Sequence, residues 1–237
     1  MNFSYNDYIQ LLDLLKKNDY SFATYNNYFN YRKCVIMRHD IDYDLNQAVT
    51  LAEIEKMKGV KSTYFVLLSS DFYNPASASS YKILHKISNL GHDIGLHFDE
   101  TAYNYDSHDI DYYIFKEAKI LSEITDLTIT SFSLHRPNKY TIETQLAIPG
   151  LTNSYGEEFF HSFKYLSDSR RRWREPVEKI IMSNQYDRLH ILTHAFWYHD
   201  NSKDISDTVN SFINKAKEDR LGFLSENITN IEQILEG

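Results

Sequence analysis

Short runs rich in β-branched and aromatic residues alternate with amphipathic helical stretches along most of this chain. No other feature constrains the fold as much, because such alternation calls for a parallel sheet or a barrel with helices packed outside it. Helices are expected over 4–17 with Ser4 as N-cap, over 45–58 stopped by Gly59, over 80–90 stopped by Gly91, and over 108–123. Strands are expected at about 33–39, 62–68, 93–98, 128–134 and 189–193. The middle, 138–186, reads as short strands near Leu151 and Phe163 and a helix near Glu178, and 206–217 and 227–235 close the chain as helices.

The 237 residues are 42% hydrophobic, enough for one sizeable core, so a single domain over 1–237 is expected, with a motif-bearing core at about 33–199. The net charge of -8 argues against nucleic acid or an anionic membrane as a general partner. One cysteine, Cys34, allows neither an internal disulfide nor a Cys-based zinc site. The first twenty residues lack a basic stretch followed by an apolar one, and no apolar run is long enough to span a bilayer. The chain is therefore expected to be soluble and cytoplasmic, with no transmembrane segment.

In parallel α/β folds the chemistry sits at the C-terminal ends of the strands. Four expected strands each deliver His or Asp there: His39-Asp40-Ile41-Asp42, His97-Phe98-Asp99, His135-Arg136-Pro137 and Thr193-His194. In a strand, Asp40 and Asp42 share one face, so one can bind a metal while the other takes a proton from water held by it. Each motif alone is equally compatible with a turn or a buried His; four together at one end are not a common coincidence.

In these residues the chain resembles the polysaccharide deacetylase family, also called the NodB homology or carbohydrate esterase 4 fold. His39-Asp40-Ile41-Asp42 is similar to its Asp-x-Asp motif, and Gly91-His92-Asp93-Ile94-Gly95-Leu96-His97 to its Gly-His-Glu-Ile-Gly-Asn-His motif. His135-Arg136-Pro137, Asp168 with Trp173, and the run ending in His194 follow in the family's order, from Asp40 to His194. The resemblance is closest to divergent members linked to surface-polysaccharide gene sets.

The resemblance implies an α/β distorted (β/α) barrel of about seven strands and a metal-dependent hydrolase that removes an acetyl or other acyl group from an amino sugar. It implies Asp42 and His97 as metal ligands, Asp40 as general base, His194 as general acid and Asp168 as the group that tunes or orients it. Trp173 would wall the sugar pocket. One divalent metal per chain is expected, with zinc the first candidate. The partner would be a saccharide or glycan precursor. The alternative is a catalytically inactive NodB-like module that only binds saccharide.

The sequence also departs from the family pattern. Four residues after His97, where a second His ligand is usual, stands Thr101. Strand alternation puts Ser131, Ser133 and His135 on one face, which makes His135 the favoured third ligand and Asp99, of His97's parity, the runner-up. Asp99 and Arg136 are otherwise expected to contact substrate. Arg136 has the wrong parity to pair with the base; Arg38 has the right parity to sit below Asp40 and replace it. His92 is read as structural, and His39 as bonded to a loop. The cluster Arg170-Arg171-Arg172-Arg174 reads first as a solvated face and second as an anion site.

Overall fold

The computed structural model describes residues 2–103 and 109–236. Eight parallel strands form one sheet: β1 (Ser21–Ala23), β2 (Cys34–Ile41), β3 (Thr63–Leu67), β4 (Asp93–Asp99), β5 (Ser131–His135), β6 (Thr152–Asn153), β7 (Lys164–Ser167) and β8 (Arg188–Thr193). The spatial order is β6-β5-β4-β3-β2-β8-β7. Seven strands therefore make the main path, as expected for a distorted barrel, and the ring stays open between β6 and β7. The strand β1 adds to β2 along Cys34–Ile36, on the stretch below the one that pairs with β3 from Arg38 to Ile41.

Around the sheet lie α1 (Tyr5–Lys17), α2 (Leu45–Met57), α3 (Ala78–Asn89), α4 (Ile110–Thr125), α5 (Lys139–Glu143), α6 (Val177–Ser183), α7 (Ile205–Ser225) and α8 (Ile231–Glu236). Side chains cap several of them. Ser4 and Asp7 form a capping box on α1, Asp44 caps α2, and Ser77 rather than Ser80 starts α3. Gly59 and Gly91 take positive φ, 62° and 104°, just after the helices they end. Among the described residues no helix is long and apolar enough to cross a membrane.

Several expected boundaries move; β5 starts at Ser131 and α8 at Ile231, and two ends move outward. The strand at β2 runs on to Ile41, because its last residues still pair with β3. The helix α7 runs past Lys217 to Ser225, and the added stretch holds the good helix formers Glu218, Arg220, Leu221 and Leu224. His108, expected to open α4, lies outside the described residues. The elements β1 and α5 carried no readable period; they have three and five residues.

Strand alternation sorts the core into two layers. Val35, Met37 and Ile41 of β2 face out and join Tyr64, Val66, Leu96, Phe132, Leu189 and Ile191 under the helices. Cys34 and Ile36 face in and join Ala23, Tyr25, Phe65, Phe159 and Phe163, which fill the bottom of the barrel. Gly95 also faces in, and a Cβ there would fall 2.5 Å from the Phe65 ring, so the barrel bottom requires glycine at this point. The open side is packed by stacked rings: Tyr155 lies 5.4 Å from Phe160, and Phe160 5.2 Å from Tyr165.

The outward layer also holds a buried carboxylate. Glu55 of α2 is fully buried and accepts from Tyr8 Oη at 2.7 Å, Ser62 Oγ at 2.6 Å and Tyr64 Oη at 2.6 Å, with His39 Nε2 at 2.9 Å. His39 thus bonds a helix residue, not a loop; its other nitrogen meets Thr193 Oγ1 at 2.7 Å. His92 is structural, as expected: its Nε2 donates to Ala52 O and its Nδ1 accepts from Ser62.

Burial pushes the Glu55 carboxyl up, but His39, His92 and Ser62 more than offset it and bring it to about 2. Its folded value lies below its ordinary 4.5. The stabilisation is therefore fully present above that pH and is lost as pH falls toward 2. Glu55→Gln is expected to cost on the order of 3 kcal/mol in urea unfolding at neutral pH. It should also flatten the loss of stability between pH 4.5 and 2; an unchanged acid profile would refute the assignment.

Candidate active site

The strand β2 sends Arg38 and Asp40 into the upper barrel, and Asp42 follows just past its end. Arg38 is 0% exposed and Asp40 4%. The guanidinium donates from Nε and Nη2 to the two oxygens of Asp40, at 3.1 and 2.7 Å, and from Nη1 to Ser154 Oγ at 2.9 Å. The rings of Tyr155 and Phe65 flank it at 4.8 and 5.4 Å. Burial alone would raise the Asp40 carboxyl; Arg38 first, then His97, hold it below the usual carboxylate range. Asp40 is therefore held as a carboxylate, nearly buried, at the cavity wall.

Three ligand-type residues meet beside it. Asp42, His97 and His135 each offer an atom within 4.8 Å of the others. His97 Nε2 lies 3.1 Å from His135 Nδ1 and 3.2 Å from Asp42 Oδ1, and His135 Nδ1 lies 3.3 Å from the same oxygen. That Oδ1 is buried and makes no aligned hydrogen bond in spite of its close nitrogens. Burial raises the Asp42 carboxyl, but His135, His97 and His194 hold it well below the ordinary range. Ser133 Oγ lies 2.6 Å from His97 Nδ1 and donates to Asp40 Oδ1 at 3.4 Å. With the hydroxyl hydrogen on Asp40, Nδ1–H of His97 donates to Ser133, and its Nε2 lone pair faces Asp42 and His135. A buried orphan oxygen and converging imidazole nitrogens are donors that could hold a divalent cation.

On the far side, β7 and β8 end in a second pair. Asp168, 0% exposed, sits directly after β7, and His194 directly after β8. His194 Nδ1 meets Asp168 Oδ1 at 2.6 Å, and the His194 backbone N–H donates to both oxygens at 3.1 and 3.2 Å. Tyr198 Oη donates to Oδ2 at 3.2 Å. The His194 Nε2 faces Asp42, 3.8 Å from Oδ2. Burial pulls the imidazole down, but Asp168, then Asp42 and Asp40, raise it to about 9.

Asp40, Asp42, His97, Asp99, His135, Arg136 and His194 all line one cavity of about 970 Å³, together with the aromatic walls Tyr43, Phe72, Tyr155 and Trp197. That is the size and wall chemistry of a small-molecule site.

The chain is similar to carbohydrate esterase 4 structures. It matches a CE4 family pseudoenzyme from Bacillus anthracis at 16% identity, over 80% of this chain and 62% of the other, with a TM-score of 0.45. It matches a family 4 carbohydrate esterase from the same organism at 15%, over 87% and 84%, with a TM-score of 0.43. A third is the peptidoglycan deacetylase PdaC from Bacillus subtilis, at 16%, over 79% and 85%, with a TM-score of 0.43. The chain spans 62% of the pseudoenzyme and 64% of two of its mutants. No protein-family model and no curated protein matches the chain. Likeness at this level concerns the fold, and the functional reading rests on this chain's own residues.

The expected site residues come together with one exception. Trp173 is not among the residues lining the cavity; its ring packs against the main core and its Nε1 is buried without a partner. It lies in an irregular turn where neither the helix nor the strand period assigns a face, and Trp197 stands on the wall instead. Asp99 is tied down by Thr101 N and Oγ1 at 2.9 and 2.7 Å and by Arg136 Nη2 at 2.9 Å, and lies outside the three-residue cluster. Ser133, Ser154 and Tyr198 were not anticipated as partners. Parity with His135 was the one available signal, and it pointed to Ser133 alone.

The folded pKa of His194 lies above its ordinary 6.5. Its contribution to stability is therefore complete below that pH and is lost as pH rises through about 9. In metal-free protein, NMR titration is expected to show that imidazole protonated up to about pH 9. Asp168→Asn should lower its midpoint by about one unit or more. An unmoved midpoint would show that Asp168 does not set the proton on His194.

Proposed function

We propose that this chain is a metal-dependent hydrolase that removes an acetyl or other acyl group from the nitrogen of an amino sugar, in a saccharide or glycan precursor. The observation that carries the reading is the meeting, in one cavity, of three ligand-type groups, an ion-paired carboxylate and a carboxylate-bound imidazole. Asp42, His97 and His135 would hold one divalent cation, and two imidazoles with one carboxylate suit zinc. When bound, such a cation supplies Lewis acidity, which favours ionisation of a water and polarises an amide carbonyl.

The protein's own groups then divide the proton work. Asp40 is ionised and takes the proton of the water that adds to the acyl carbon. Arg38 keeps that carboxylate charged and fixed, and Ser133 ties it to His97. His194 carries a proton at neutral pH, and its Nε2 is the atom free to face the substrate. As the carbon–nitrogen bond breaks, Nε2–H passes its proton to the leaving amine. Asp168 holds the imidazole by Nδ1 and keeps it charged until then. The products are a carboxylate and a free amino sugar. Tyr43, Phe72, Tyr155 and Trp197 offer ring faces to the sugar.

Metal content by plasma mass spectrometry, with acyl release from N-acetylated sugars, tests this reading. Wild type supplied with zinc, cobalt or nickel is expected to hold roughly one metal per chain, and Asp42→Ala, His97→Ala and His135→Ala to lose it. Asp40→Asn and His194→Ala should keep the metal and lose about 10²-fold or more in rate. A wild type that takes up no metal would sink the proposal, as would an Asp40→Asn variant of undiminished rate.

A further inference from the structure

The cations that line the cavity are Arg136, Arg170 and Arg174, with no lysine among them, although lysine outnumbers arginine in the chain. Arg136 is committed to Asp99. Among the described residues, Arg170 and Arg174 have neither an ion pair nor a side-chain hydrogen bond. The nearest carboxylates in sequence are engaged: Glu175 holds Lys164 at 2.7 Å, and Asp168 holds His194. The lining carboxylates Asp40, Asp42 and Asp99 likewise have cationic or imidazole neighbours at 2.7 to 3.3 Å. Asp71 is the exception, and it follows β3, which β2 and β8 separate from β7.

The turn after β7 is also unusual in its backbone. Arg170 and Arg171 both take positive φ, 59° and 55°, and Arg136 takes 49°. Such a conformation is strained for a non-glycine residue. The chain carries a net charge of -8, yet the guanidinium groups of Arg170 and Arg174 at the cavity have no carboxylate partner among the described residues. Guanidinium groups bind phosphate and carboxylate oxygens in pairs, a geometry that lysine lacks.

We infer that Arg170 and Arg174, beside Arg136, form an anion subsite in the cavity wall that selects amino sugars bearing a phosphate or carboxylate group. The inference rests on the hydrolase reading for what happens at the acyl group, but not for binding.

Calorimetric titration of the zinc-supplied protein tests it, with N-acetylglucosamine 1-phosphate, N-acetylmuramic acid and neutral N-acetylglucosamine as probes. At least one charged sugar is expected to bind about tenfold or more tightly than the neutral one. That preference should shrink with added salt and fall toward one in Arg170→Gln/Arg174→Gln. It should persist in Arg172→Gln, whose exposed side chain does not line the cavity. The order of the two charged probes separates a phosphate source from a carboxylate one. Equal affinity for charged and neutral sugars overturns the subsite, as does a preference that survives in the double variant or the lack of detectable binding by both charged probes. Acyl release is followed on the same samples. Release without regard to charge leaves the hydrolase and removes the subsite; charge-selective binding without release does the reverse.

Discussion

A guanidinium with no access to water needs an ionised partner, and the buried Arg38–Asp40 pair supplies each with the other. Desolvating either charge alone costs several kcal/mol. Two hydrogen bonds between them, one to Ser154 and two flanking rings make the pair tolerable at this depth. The rest of the upper barrel is arranged around that fact. The layer below it is aromatic and filled, and the layer above it is polar and open. The carboxylate between them is charged because of where the arginine lies.

The sheet separates two polar systems that β2 links by simple alternation. Inward, Arg38 and Asp40 connect through Ser133 to His97. Outward, His39 connects Glu55 of α2 to Thr193, the residue before His194. Each member of the outward system has a bonded partner, so it holds the strand ends at fixed heights. In the inward system Asp42 Oδ1 has no aligned hydrogen bond. Set among imidazole nitrogens, that oxygen suits the cation proposed for this cavity.

Much of this was legible because a strand has a period of two. Parity alone put Arg38 under Asp40, put His135 beside His97 and kept Arg136 off the base. It works where strands are long and buried, as β2, β4 and β8 are. It had no purchase on Trp173, which the resemblance alone put on the pocket wall and which lies in a turn with no period. It said nothing of β1, whose three residues have no pattern of their own and form a strand only because β2 leaves a length of edge free. Glu55 was invisible for a different reason. A glutamate in a helix looks solvated until Tyr8 of α1 and Ser62 and Tyr64 at β3 are known to converge on it. The spacing of His97 and Thr101 showed that a ligand was missing, and alternation in another strand suggested which one; no local rule could say how close it would come.

The gap between β6 and β7 has a consequence for how this barrel is sized. In a closed ring, strand number and hydrogen-bond stagger fix the bore. Here no backbone ladder joins the last strand to the first along the path, and the span is held by the stacked rings of Tyr155, Phe160 and Tyr165. The calibre of the molecule is thus written in side chains, where one substitution can alter it without unzipping a single strand pair.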